Sequence, residues 1–154
     1  FGDAIRLVGW SLAGHEGDRG ASAAGGEPEL VVRPGARLVL TLAWRAEAAV
    51  GRDWSVFAHV EREGEATAGQ SDGPPTPPRE TVCGDEAAPT SGWRPGDVVE
   101  DRRAIDVAPG AAPGDYDLLV GLYDYATLER LPVVDAAGVD LGGRVRLAGV
   151  RVRP

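Results

Sequence analysis

The sequence predicts an all-β protein: an antiparallel β-sandwich, jelly-roll or immunoglobulin-like, with about eight or nine strands. Three observations carry that expectation. Apolar residues recur with period two rather than 3.6, most clearly over 37–45, where Leu38, Leu40, Leu42 and Trp44 alternate with Val39, Thr41, Ala43 and Arg45. Turn dipeptides stand where the alternation breaks: Pro34-Gly35, Glu63-Gly64, Pro95-Gly96, Pro109-Gly110 and Pro113-Gly114. No stretch supplies the crossover helices that a parallel sheet requires.

Taken in order, the strands are expected at 5–12, 30–33, 37–45, 54–62, 66–70, 98–107, 116–123, 130–134 and 144–153. In the fourth of these, Trp54, Val56, Ala58 and Val60 share one side, and Ser55, Phe57, His59 and Glu61 the other. Two segments resist a strand assignment. Residues 13–26 are rich in Gly and Ala and are expected to loop over one end of the sandwich. Residues 72–92 hold Gly73-Pro74-Pro75, Pro77-Pro78, Cys83 and Pro89, and loops of this length are often functional. The chain of 154 residues fits one domain, 1–154, and with no Met at its start it is expected to be a fragment of a longer protein.

Composition removes several function classes. The net charge is -8, and all 16 basic residues are Arg scattered along the chain, so no basic stripe exists for nucleic acid. No apolar run approaches the ~20 residues of a membrane span. A single cysteine, Cys83, forms neither an intrachain disulfide nor a Cys-based zinc site, and it reads as a free thiol in a polar loop. Only His15 and His59 offer an imidazole, so no catalytic set assembles, and catalytic and metal residues are both expected to be none.

The candidate carboxylate pairs, Asp115 with Asp117 and Asp97 with Asp101, read as solvated strand residues or turn acceptors before they read as glycosidase pairs. Asp72-Gly73 and 135–140 have the oxygen-rich turns that suit a structural Ca2+, but no EF-hand spacing, and no cofactor is favoured. The nine aromatic residues are more informative. Trp44, Trp10 and Phe57 read as core, and Tyr116, just after Pro113-Gly114, as a hydroxyl anchored to backbone at a sheet corner. An aromatic face beside carboxylate and guanidinium groups is what sugar recognition needs, because the C–H face of a pyranose packs on a ring while charged groups take its hydroxyls. The candidate ligand-binding residues are therefore Trp93, Tyr123, Asp124, Tyr125 and Arg130; Tyr125 is the better exposed platform, and Trp93 reads more simply as a plug at the sandwich end. A lone His59 reads as a hydrogen-bonded structural residue on a partly covered second face, where the parent protein or a second copy could dock.

A series of motifs runs nearly end to end. It starts with Phe1-Gly2-Asp3 with Ile5, Leu7, Gly9 and Trp10, then Pro34-Gly35 leading to Trp44, and Ser55-Val56-Phe57-Ala58-His59-Val60. Gln70-Ser71-Asp72-Gly73, Pro89-Thr90-Ser91-Gly92-Trp93-Arg94-Pro95-Gly96-Asp97-Val98-Val99 and Asp101 follow. Pro113-Gly114-Asp115-Tyr116, Val120-Gly121-Leu122-Tyr123-Asp124 and Arg130-Leu131-Pro132-Val133 complete it. In this order they resemble the poorly characterised β-sandwich domain at the C-terminus of bacterial multi-pass membrane glycosyltransferases similar to the protein mannosyltransferases. The chain departs from that pattern in a longer 13–26 segment and in the expansion that includes Cys83.

The resemblance implies an extracytoplasmic domain, at the cell surface or secreted. It carries no catalytic residues, since the lipid-linked sugar site would lie in a transmembrane portion outside this chain. The expected function is a non-catalytic accessory or binding domain whose partners are a glycan, an acceptor or the parent membrane enzyme. The alternative is a self-assembling secreted structural subunit that pairs through its apolar first and last strands, 5–12 and 145–152. An independent hydrolase ranks third.

Overall fold

The computed structural model describes residues 1–14, 21–22, 29–77 and 89–154. Cys83 and His15 lie outside these, as does most of the 13–26 segment and the middle of 72–92. The described strands are β1 (Ile5–Gly14), β2 (Ala21–Ser22), β3 (Glu29–Val32), β4 (Arg37–Ala46), β5 (Ser55–Glu61), β6 (Gly69–Gly73), β7 (Val98–Asp106), β8 (Gly114–Tyr123) and β9 (Val145–Val152). They form two sheets, β2-β1-β4-β7 and β3-β9-β8-β5-β6. The expected β-sandwich is the fold.

The period-two pattern explains how the layers meet. In β4, Leu38, Leu40, Leu42 and Trp44 are fully buried, and they face Val56, Ala58 and Val60 of β5 and Leu118, Val120 and Leu122 of β8 within one core. Each such aliphatic side chain contributes about 1.5–3 kcal/mol relative to exposure. Phe1 closes one end edge-on to Trp44, with ring centroids 5.2 Å apart. Tyr116 donates its hydroxyl to the Ala112 carbonyl at 2.8 Å, the corner anchor that the sequence predicts.

One ion pair fastens the open edges of the two sheets together. Asp101 and Arg103 point inward from β7 and are buried, with Arg103 Nε donating to Asp101 Oδ2 at 2.8 Å. Arg103 also donates to the carbonyls of Gly73 (2.9 Å) and Pro74 (3.0 Å), while Asp101 Oδ1 accepts from the Thr76 amide at 2.8 Å. The chain leaving β6 is thus held against β7. A second clamp uses Thr90, wholly buried: its hydroxyl accepts from the Trp54 amide (2.8 Å) and donates to the Arg52 carbonyl (2.9 Å). Gly73, Thr90 and Asp101 are thus among the residues that close the sandwich.

The structure departs from the sequence expectations in six places. The pairing of β3 with β9 is parallel, not antiparallel. β3 leads through Arg33-Pro34-Gly35 into β4 of the other sheet, so it meets β9 as a sheet-switching edge rather than as half of a hairpin. The strand expected at 66–70 is shifted to Gly69–Gly73. Residues 130–134 form no strand: Arg130 bridges to Tyr123 and Val134 to Asp140, and Pro132 between them has no N–H to give a ladder. Ala13 and Gly14 extend β1, and Ala21–Ser22 pairs with it, so the 13–26 segment is not wholly loop. Phe57 is buried, but on the outer face of the five-stranded sheet rather than in the core. The edge-pairing route to self-assembly loses its last strand, because β9 lies between β3 and β8, and part of its first, because Ala21–Ser22 pairs with Ser11 and Leu12 of β1.

Candidate functional site

The segment after β8 is built around Asp124. Its Oδ1 accepts from the amides of Ala126 (2.8 Å) and Thr127 (3.2 Å), its own amide donates to the Glu129 carbonyl (2.9 Å), and its carbonyl accepts from the Leu128 amide (2.7 Å). Leu128 takes a left-handed φ of 61° to close the turn. Arg52 Nη1 adds a contact to Asp124 Oδ2 at 3.1 Å. The backbone amides of Ala126 and Thr127, and then Arg52, hold the Asp124 carboxyl below the usual carboxylate range. Asp124 is the framework of the turn, and the side chain that the turn displays is Tyr125, 77% exposed.

Beside that turn, Tyr123 and Arg130 share the outer face of the five-stranded sheet with Phe57. The Arg130 guanidinium stacks over the Phe57 ring at 4.7 Å, and the Tyr123 ring lies 6.2 Å from Phe57. Two glycines make room: a Cβ at Gly121 would come within 2.4 Å of the Phe57 ring, and one at Gly143 within 2.6 Å of Arg130 Cβ. On the other flank His59 Nε2 meets Asp72 Oδ1 at 2.9 Å, with Glu61 at 4.0 Å from Nδ1. Partial burial, then the nearby Asp72 carboxylate, pushes the Tyr123 hydroxyl upward, so it remains protonated and a hydrogen-bond donor.

Of the five residues chosen from sequence, the structure groups Tyr123, Asp124, Tyr125 and Arg130 and separates Trp93. Trp93 is only 6% exposed and belongs to the core cluster, so its ring offers no face to a ligand and serves as the plug. Phe57, His59 and Asp72 join the group from β5 and β6; sequence reasoning assigned Phe57 to the core and His59 to a structural role, and Gly121, across from Phe57 in the β5–β8 register, is the signal that a ring lies flat outside the sheet.

The two carboxylate pairs take other roles. Asp115 contacts Arg151 and Asp117 contacts Arg146, on the outer face of β8 and β9. Asp97 accepts from the Arg94 amide at 2.8 Å, and Asp101 is the buried partner of Arg103. Asp135 and Asp140 accept from amides of their own turns, and among the described residues no three His, Cys, Asp or Glu side chains gather as a metal set. No described helix is long and apolar enough to cross a membrane.

Fold and site together define a two-sheet β-sandwich with an aromatic, charge-flanked patch at one end of its five-stranded face. No protein-family model matches the chain, and no curated protein matches it in sequence. Among solved structures it is similar in fold to the C-terminal domain of wzt, at a TM-score of 0.56 and 10% identity over 100% of this chain and 75% of that one. A Niemann-Pick type C2 protein from Japanese carpenter ant aligns at a TM-score of 0.51 and 6% identity, covering 99% of this chain and 96% of that one. At such identities the likeness is one of fold.

Proposed function

We propose that this domain is a non-catalytic, extracytoplasmic accessory module of a membrane glycosyltransferase, and that it binds glycan through the patch formed by Tyr125, Tyr123, Arg130 and the Asp124 turn. One observation carries the reading: an exposed tyrosine stands on a turn that its neighbour Asp124 holds rigid through two amide hydrogen bonds. A ring carried on a fixed turn costs less backbone entropy to engage than one on a mobile loop, and packing a pyranose face against it buries apolar surface while adjacent charged groups hold hydroxyls. The motif series from Phe1 to Val133 supports the glycosyltransferase context.

The test is glycan-array screening of the whole chain followed by calorimetry on the hits. Tyr125→Ala is expected to weaken binding at least tenfold with an unchanged melting temperature, since the ring is exposed and packs little of the fold. Wild-type protein that binds no glycan, or a Tyr125→Ala variant that binds as tightly as wild type, overturns the reading. The genomic reading frame upstream of Phe1 tests the context separately: a run of transmembrane helices there supports it, and an unrelated soluble domain sinks it.

A further inference from the structure

The outer face of the five-stranded sheet also carries a concavity, whose lining does not include Tyr125. It is a groove of about 340 Å³ between β3, β9 and β8, lined by Glu29, Asp115, Asp117, Arg146, Gly149 and Arg151. Arg151 Nε contacts both Asp115 Oδ1 (2.5 Å) and Glu29 Oε1 (3.0 Å), and Arg146 Nε contacts Asp117 Oδ1 (2.5 Å). Gly149, directly across from Asp117 in the β8–β9 register, adds no side chain to the floor.

The charges select a class of ligand. The lining pairs three carboxylates with two guanidiniums, and Arg62 and Arg153 also act on Asp115, so the groove has no unbalanced charge of either sign to select an ion. Each guanidinium already neutralises a carboxylate, and the described residues hold no metal set, which disfavours a cation. What remains is a dense alternation of acceptors and donors. A guanidinium has five N–H donors and a carboxylate about four acceptor positions, so Arg151 and Asp115 have capacity beyond their mutual contact. Vicinal hydroxyls, each donor and acceptor at once, match that pattern. The hydrogen bond from Arg151 keeps Asp115 ionised, hence an acceptor, well into mild acid.

The groove and the aromatic patch lie along the same strand, β8. Successive outward residues of β8 are Asp115, Asp117, Leu119, Gly121 and Tyr123, so the strand itself runs from groove to patch. Asp117 and Tyr123 are about 20 Å apart at the rise of an extended strand. We infer that the groove is a second subsite for a neutral, hydroxyl-rich chain, and that the domain recognises an extended oligosaccharide laid along β8 rather than a single terminal sugar. This deepens the glycan reading of Tyr125 and rests on it.

Calorimetry of the whole chain with neutral linear mannooligosaccharides and glucooligosaccharides of increasing length tests it. Affinity is expected to climb with length until the ligand spans both ends. Arg151→Gln and Asp117→Asn should each weaken the longest ligand about tenfold and leave a disaccharide unaffected, whereas Tyr125→Ala should weaken both; melting curves check that every variant is folded. If Tyr125→Ala loses binding but affinity does not grow with length, or the groove variants bind as wild type does, the groove subsite is overturned and the Tyr125 reading stands. If the groove variants lose binding and Tyr125→Ala does not, the Tyr125 reading and the two-ended track that rests on it are both overturned. A sulfated oligosaccharide that binds better than its neutral counterpart overturns the neutral assignment, and wild-type protein that binds none of the series overturns both.

Discussion

Asp101–Arg103 and Asp115–Arg151 are the same chemical pair in opposite settings. The first is buried at the meeting edge of the two sheets, where Arg103 reaches the carbonyls of Gly73 and Pro74 and Asp101 takes the Thr76 amide. The second lies on the outer face in contact with solvent. Inside, both charges have their hydrogen-bonding capacity spent on the protein, and removing one partner strands the other in a dry site. Outside, water screens the attraction and the same groups keep capacity for a ligand. The difference separates residues that keep the sandwich shut from residues that it can put to use.

The largest expected effect comes from breaking the inner pair. Asp101→Ala should cost about 3–5 kcal/mol in urea unfolding, because Arg103 is left buried and uncompensated; a loss under about 1 kcal/mol would show the pair to be dispensable. Next, Thr90→Val leaves the Trp54 amide without its acceptor and should cost about 1–3 kcal/mol by the same measurement. Gly121→Ala drives a Cβ into the Phe57 ring and the Gly143 carbonyl, and overpacking of this kind costs about 1–3 kcal/mol. Near-UV circular dichroism should register the displaced ring; unchanged spectra would mean that the Arg130–Phe57 stack tolerates movement.

Acid unfolding gives a smaller signal. Hydrogen bonds from Ser91, Arg37, Arg151 and the Ala126 amide hold Asp53, Asp106, Asp115 and Asp124 respectively below the usual carboxylate range. A folded value below the unfolded one gives stability that is present above about pH 4 and lost as pH falls through the folded values. The melting temperature should therefore be flat between about pH 5 and 7 and decline below 4, and less steeply in Asp124→Asn, which has no proton to take up there. The smallest effect belongs to the outer pair: Asp115→Asn removes one exposed, water-screened contact and should lower the melting temperature at pH 7 only slightly, whereas a drop like that of Asp101→Ala would mean that this pair is structural like its buried counterpart.

The sandwich was legible because β4, β5 and β8 each bury one complete alternating face, and hydropathy alone records that. β6 was misplaced for the opposite reason. Its sequence Gly-Gln-Ser-Asp-Gly has no apolar alternation, and its position is decided by contacts from outside: Arg103 on its carbonyls, and the Asp106 carbonyl so near Gly69 that a Cβ would sit 2.8 Å from it. The parallel β3–β9 pair was equally invisible, since nothing local distinguishes the two directions for Leu-Val-Val. At the candidate site, Tyr125 and Arg130 could be chosen as aromatic and charged residues after a strand. The burial of Trp93 and the outward placement of Phe57 depend on long-range packing that a one-dimensional pattern does not carry. The groove along β8 draws Glu29 and Arg151 from opposite ends of the chain, so no motif could join them.

The parallel pairing of β3 with β9 also sets an order of events during synthesis. β3 emerges from the ribosome early, yet its partner in the sheet, Gly149–Val152, comes near the end of these residues. Until then Leu30 and Val32 have no strand to lie against, and β8 has an unpaired flank. Such a long-range closure is slow, and the wall that holds the Asp115–Arg151 groove is the last part of the sandwich to be completed.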